Sequence, residues 1–382
     1  MSHRCHPGAL ALAVFLPLVC VFGGPVAARA DALSARQAAQ IDTIVTHAMA
    51  EQHVVGAEVA VGRNGKLLYL KGYGLRNQAR RLPVTSRTVF GIGSITKQFT
   101  AACVLMLVQE GKVKLDARVA TYLPNAPHAS EITVRELLDQ TSGLHDYLEN
   151  KPLIVSIMGG TDEVHRAPAY YVNLTRGMPL MFKPGSKFTY SNTNYVLAGM
   201  IVAKVSGETY EQFLFSHIMR PLGLRSMQFP AFYPPSGPDV SQGYNYVKGV
   251  YSLVPRYDMT WGGAAGELAS SATDLITWDG AFFGGRVLAP ETVLIATTPP
   301  DGIPLRASKH PETNIAQGYA MGWVAGQDEG RDIIWHNGGI VGARSMNATF
   351  PGDGLEVVVL TNMTAADPDV IAIRIARAIY SR

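Results

Sequence analysis

Three cysteines are few for 382 residues, and two of them, Cys5 and Cys20, fall in the opening apolar stretch. Cys103 therefore has no partner for an intrachain disulfide in the rest of the chain. It stands in Thr100-Ala101-Ala102-Cys103-Val104-Leu105-Met106-Leu107, a run that predicts a buried, inert thiol rather than a surface nucleophile. Charge of one sign is lacking too. The 33 basic residues are scattered among 30 acidic ones for a formal +3, so no nucleic-acid partner is expected. The ten histidines include no HExxH and no tight ligand cluster, so no metal or other cofactor is expected. Beyond the opening stretch no run reaches the ~18 apolar residues of a membrane span, which excludes stable membrane insertion of the remainder. Internal repeats and low-complexity linkers are absent as well.

What is present begins with a targeting pattern. His3 and Arg4 precede an apolar run from Ala9 to Phe22, and Ala28-Arg29-Ala30 offers the small-x-small site that a signal peptidase cuts. The expectation is a signal peptide at 1–30, followed by an exported chain of residues 31–382, periplasmic or secreted. An uncleaved anchor and lipidation at Cys20 are the competing accounts. The run is short for a ~20-residue span, and Val19 is bulky for a lipoprotein peptidase.

The remainder, 47% hydrophobic overall with 38 Gly and 23 Pro, has the balance of a globular protein. Ser34-Ala35-Arg36-Gln37 reads as a capping box opening a helix to about Gln52. Ala57 to Val61 and Leu67 to Leu70 read as strands flanking an Asn64-Gly65 hairpin turn. A second β-rich set, Ile333 to His336, Ala343 to Phe350 and Leu355 to Thr361, precedes a last helix opened by Asp367-Pro368. Helical runs lie between, at 94–110, 133–139, 194–205, 208–218 and 272–283. The pattern predicts an α+β fold in which both chain ends build one antiparallel sheet with flanking helices. The sheet part is about 31–90 and 291–382, and an inserted helical region covers about 91–290.

Three segments carry candidate chemistry. Ser94-Ile95-Thr96-Lys97 follows Phe90-Gly91-Ile92-Gly93 and opens a buried helix, so the hydroxyl and the ammonium share a face three residues apart. A desolvated lysine is a base able to activate a serine, and the helix start presents N–H groups to developing negative charge. The competing account makes Ser94 an N-cap and Lys97 a solvated first-turn residue. Tyr190-Ser191-Asn192 follows a turn at Lys183 to Ser186, and alternation points Tyr190 and Asn192 to one side. A phenol relays protons, and an amide holds both a lysine and a substrate carbonyl. Tyr171-Val172-Asn173 repeats the tripeptide without the flanking turn. Trp335-His336-Asn337-Gly338-Gly339 ends a β-rich segment where Gly338 and Gly339 allow a substrate to lie against an edge strand. Its histidine reads equally as a satisfied structural ring.

Taken in order, Ser94-x-x-Lys97, Tyr190-x-Asn192 and His336-x-Gly338 resemble the three motifs of the serine β-lactamase and penicillin-binding superfamily. Tyr in the second motif and His in the third make the chain similar to the branch of class C β-lactamases, D-alanyl-D-alanine carboxypeptidases and related esterases. Phe90 to Ser94, Leu137 to Leu144, Pro221 to Leu224, Tyr319 to Trp323 and Ala343 to Asn362 extend the resemblance over about residues 35–380. It implies a β-lactamase/transpeptidase-like fold with Ser94 as acylated nucleophile, Lys97 as its proton partner and Tyr190 as general base or acid. Asn192 would contact Lys97 and the substrate, His336 would sit beside Tyr190, and the N–H groups of Ser94 and Gly339 would bind the oxyanion. The expected substrate is a D-alanyl-D-alanine-type peptide or a small ester. A β-lactamase, or a penicillin-binding sensor without turnover, is the alternative. His336 and Asn337 replace the Lys and Thr that hold a lactam's carboxylate, which weighs against a lactamase and leaves Arg344 as a candidate cation.

Overall fold

Strands alternate their side chains between two faces, and the central sheet of this protein buries both. In the computed structural model residues 32–160, 164–305, 311–313 and 315–381 are described, so the leader read at 1–30 lies outside them. Ser34 caps α1 (Ala35–Glu51) through a reciprocal box with Gln37. The strands β1 (Gly56–Arg63) and β2 (Lys66–Asn77) join across Asn64-Gly65, both at positive φ (52° and 75°) as a tight hairpin turn demands. The short β3 (Leu82–Pro83) pairs with β2.

The middle of the chain supplies α2 (Thr96–Gln109), α3 (Asn192–Ser206) and α4 (Ala272–Phe283), with shorter helices between them. Every residue of α2 from Thr96 to Leu105 is buried, which explains why its sequence is apolar on all sides. Cys103 is one of them, a free thiol that burial holds far above its ordinary pKa. This middle region also holds strands that periodicity did not reveal. Phe90–Gly91 pairs with Ala269–Ser270, and Tyr244–Val247 with Val250–Leu253. Strands of two to four residues are too short to show a period.

The C-terminal part returns as β4 (Ala316–Tyr319), β5 (Val324–Asp328), β6 (Arg331–Ile340), β7 (Ala343–Phe350), β8 (Leu355–Thr361) and α5 (Pro368–Tyr380). The antiparallel order is β4-β5-β6-β7-β8-β1-β2-β3, so the two ends of the chain meet where β8 pairs with β1, Ala57 opposite Thr361. Val59, Val61, Val357 and Val359 pack against α1 and α5, whereas Ala60, Val358 and Leu360 face the core shared with α2 and α4. No helix among the described residues is long and apolar enough to cross a membrane.

Candidate active site

A single 3₁₀ turn, Gly93–Ile95, carries Ser94 into α2. Gly93 adopts φ 51°, and a Cβ there would stand 2.6 Å from the Gly339 nitrogen, so only glycine lets this turn lie on β6. Ser345 Oγ fastens the approach by donating to the Ile92 carbonyl at 2.8 Å. One helical turn on, the Lys97 side chain is wholly buried and its Nζ lies 3.0 Å from Ser94 Oγ. The alternative of a solvated lysine is thereby removed.

Lys97 has two further partners, Asn192 Oδ1 at 2.9 Å and the Ala265 carbonyl at 2.6 Å. Both are obligate acceptors and take two of its hydrogens. The position facing Ser94 is then a hydrogen when the amine is charged and a lone pair when it is neutral. Burial lowers the lysine to about 7, with the nearby Asp146 charge acting the other way. Asp146 Oδ2 accepts from Asn192 Nδ2 at 2.8 Å and from the Asn192 backbone at 3.1 Å. That pair fixes which end of the amide meets the lysine.

Tyr190 lies beside the amine, its ring centroid 4.7 Å from Nζ. Its Oη is buried without a well-aligned hydrogen bond, although Ser94 is close enough to ease its ionisation slightly. Burial dominates and holds the phenol well above its ordinary value, so Tyr190 stays protonated. Tyr190 and Asn192 do project together, but the extended segment ends at Ser191 and Asn192 is already the first residue of α3.

The third motif lies on a strand that is interior in the sheet order but half open. The pairing of β5 with β6 stops at Trp335, whereas β7 pairs with β6 through Ile340. Among the described residues, one side of β6 is thus free of a paired strand from His336 onward. His336 is 2% exposed, with Nδ1 2.5 Å from the Asn337 carbonyl and Nε2 3.1 Å from Tyr319 Oη. The carbonyl can only accept, so Nδ1 carries the proton and Nε2 accepts from the tyrosine. Burial, and next the Lys97 charge, push the ring down to about 3. Its ring nitrogens are expected to keep the NMR signature of a neutral Nδ1–H imidazole over the pH range, about 5 to 8, in which a free histidine titrates. A midpoint near the ordinary 6.5 would contradict this environment.

Gly338 faces the nucleophile turn, where a Cβ would collide with the Ile92 carbonyl. Asn337 and Gly339 alternate to the other face of the strand. There Asn337 Nδ2 donates to Asp369 Oδ2 at 2.7 Å, and the Arg344 guanidinium crosses Gly339 while its Nε donates to the Thr364 carbonyl at 2.7 Å. Arg344 therefore lies against Gly339, on the face of β6 opposite Gly338.

Sequence reasoning missed Asp146, Tyr319 and the Ala265 carbonyl. Asp146 heads a capping box with Glu149, a pattern that announces a turn but not the orientation of a distant amide. Gln140, at φ 59°, is a positioning residue that sequence reasoning does not single out. Its Oε1 accepts from the Ser191 backbone at 2.9 Å and from Asn194 Nδ2 at 2.6 Å, holding the second motif in place. The competing Tyr171 is buried elsewhere, its Oη 3.0 Å from Thr260 Oγ1.

Comparison with known proteins gives the same direction. A family model described as Beta-lactamase matches residues 41–381. Protein flp of Staphylococcus aureus (strain MW2) is 28% identical over 340 residues, covering 85% of this chain and 63% of that protein. The chain thus spans less than two thirds of that relative. The octameric penicillin-binding protein homologue from Pyrococcus abyssi superposes with a TM-score of 0.79 at 30% identity, covering 90% of this chain and 78% of that one. The D-stereospecific amidohydrolase from Streptomyces sp. gives 0.76 at 27% identity, covering 90% and 98%.

Proposed function

Since the chain belongs to the beta-lactamase family, within the serine hydrolases of the β-lactamase and penicillin-binding type, we propose that it forms an acyl-enzyme at Ser94 and hydrolyses D-configured peptides or amides, of the D-alanyl-D-alanine kind, or small esters. The observation that carries this reading is the Lys97 amine, with two hydrogens committed to Asn192 and Ala265 and its third position facing Ser94 Oγ. Neutral Lys97 takes the Ser94 proton as Oγ adds to the substrate carbonyl. The Ser94 and Gly339 N–H groups receive the oxyanion. Collapse expels the amine or alcohol, protonated through Tyr190, and leaves the acyl group on Ser94. Water then adds to the ester with Lys97 again accepting the proton, and the acid leaves as Ser94 regains its hydrogen.

The free side of β6 suits an extended substrate backbone, as in strand addition. A neutral His336 supplies no fixed cation for a substrate carboxylate, which weighs against lactams and favours amides and esters over peptides that end in a free carboxylate. The D preference rests on the likeness to the Streptomyces amidohydrolase. Export rests on the charged-then-apolar leader and its Ala28-Arg29-Ala30 site.

Intact-mass spectrometry of the exported protein, with turnover assays on a D-alanyl-D-alanine peptide, its L epimer and an activated short-chain ester, tests the reading. Expected are a mass beginning at Asp31, a penicillin adduct on the Ser94 peptide, and turnover of the D peptide or the ester. Penicillin turnover faster than either would move the protein to the lactamases. Neither adduct nor turnover would overturn acyl-enzyme chemistry altogether.

A further inference from the structure

Behind the catalytic lysine lies a cavity of about 670 Å³ that Ser94, Lys97, Tyr190 and His336 do not line. That volume is in the range of small-molecule sites, about 300–1,000 Å³. Its walls are largely apolar, with Val196, Met200, Phe229 and Ala264 among them. One buried acid stands in this lining. Glu267 is 8% exposed, and among the described residues its carboxyl group has neither a hydrogen bond nor an ion pair. A carboxyl group buried this far without a partner is costly unless something supplies one.

The charged groups around it do not. Glu208 and Glu211 line the same cavity and are acidic. Asp258 is buried nearby, within ion-pair distance of the exposed His165 at 3.5 Å. Arg166 lies over the Tyr170 ring, 5.0 Å from its centroid. Burial, followed by the charges of Glu211 and Asp258, raises Glu267 to about 8, and no cation counters them.

We infer that this cavity is a binding site for a small amphipathic amine, its apolar body against Met200 and Phe229 and its ammonium on the Glu267 carboxylate. A cation answers the unpartnered Glu267 carboxyl, and an apolar body covers the wall of Val196, Met200, Phe229 and Ala264. The site borders the catalytic centre without being part of it. Thr100, on α2 one turn beyond Lys97, hydrogen-bonds the Ala264 carbonyl at 2.6 Å and Tyr210 Oη at 2.7 Å, and both Ala264 and Tyr210 line the cavity.

Calorimetric titration of the full protein with 2-phenylethylamine and its neutral isostere 2-phenylethanol, above the midpoint of Glu267, tests this without relying on acyl-enzyme chemistry. The amine is expected to bind at least about tenfold more tightly, the usual effect of a hydrogen bond to a charged group. Glu267→Gln should erase that preference and leave the alcohol's affinity unchanged. Ala203→Trp, on the cavity wall, should abolish binding of both probes while the melting temperature and circular dichroism stay as in the wild type. Equal affinities for amine and alcohol, a preference that survives Glu267→Gln, or binding undisturbed by Ala203→Trp would each overturn the assignment.

Discussion

Lys97→Ala is expected to lower kcat/KM for an activated ester by at least about 10³-fold, and Ser94→Ala by no less. The double variant should be little worse than either single one, because base and nucleophile act as one unit. The reason lies in the environment of the amine. Burial brings Lys97 to about 7, so near neutrality a large share of molecules present a lone pair to Ser94. Only that form accepts the proton. The pH profile of kcat/KM should therefore rise through about 7 and level off above it. Asp146 is the charge that holds the lysine up, so Asp146→Asn should move the rising limb to lower pH. Tyr190 makes a distinct prediction as the base, because its phenol is held well above 10 and the limb would move far into the alkaline range. A limb that stays in place when Lys97 is replaced would remove the lysine from the role.

Local chemistry was legible in the sequence. Ser34 with Gln37, Asn64-Gly65 and Asp367-Pro368 each satisfy backbone groups within a few residues, so the pattern and the structure coincide. The meeting of the two chain ends was legible as well, because β1 and β8 are mostly apolar and neither end could bury that surface alone. The three motifs also stood out, and the structure brings Ser94, Lys97, Tyr190, Asn192 and His336 to one place. What orients them did not stand out. Asp146 acts on Asn192 across 46 residues, Ala265 holds Lys97 through a backbone carbonyl that any residue would supply, and Tyr319 meets His336 Nε2 from another strand. None of these relations has a local spacing. The open side of β6 was legible only in part. Two glycines announce a close approach, but that β5 stops at Trp335 is a matter of strand length in the neighbour.

Stability is expected to fall as pH rises from about 4.5 to 8, with Glu58 as one source. This carboxyl is fully buried between β1 and the start of α4. Its Oε2 accepts from the Ala272 backbone at 2.9 Å, while Oε1 has no partner. A helix N-terminus favours the carboxylate, yet the cost of desolvation is larger and the group is pushed up to about 8. The folded state therefore keeps a proton that the unfolded chain loses near 4.5. Between the two values each such group removes up to about 1.4 kcal/mol per pH unit from the folded state. Asp279, also buried and raised to about 7, acts in the same direction. Glu58→Gln keeps an acceptor for Ala272 and removes the ionisation. Its melting temperature should exceed the wild type's by several degrees at pH 8, on the scale of roughly 2–4 °C per kcal/mol for mid-sized domains. At acidic pH, where Glu58 is protonated in both states, the two proteins should melt together. Thermal melts at both pH values decide it: a variant that loses stability at pH 8 would mean that Glu58 is ionised and held by its helix.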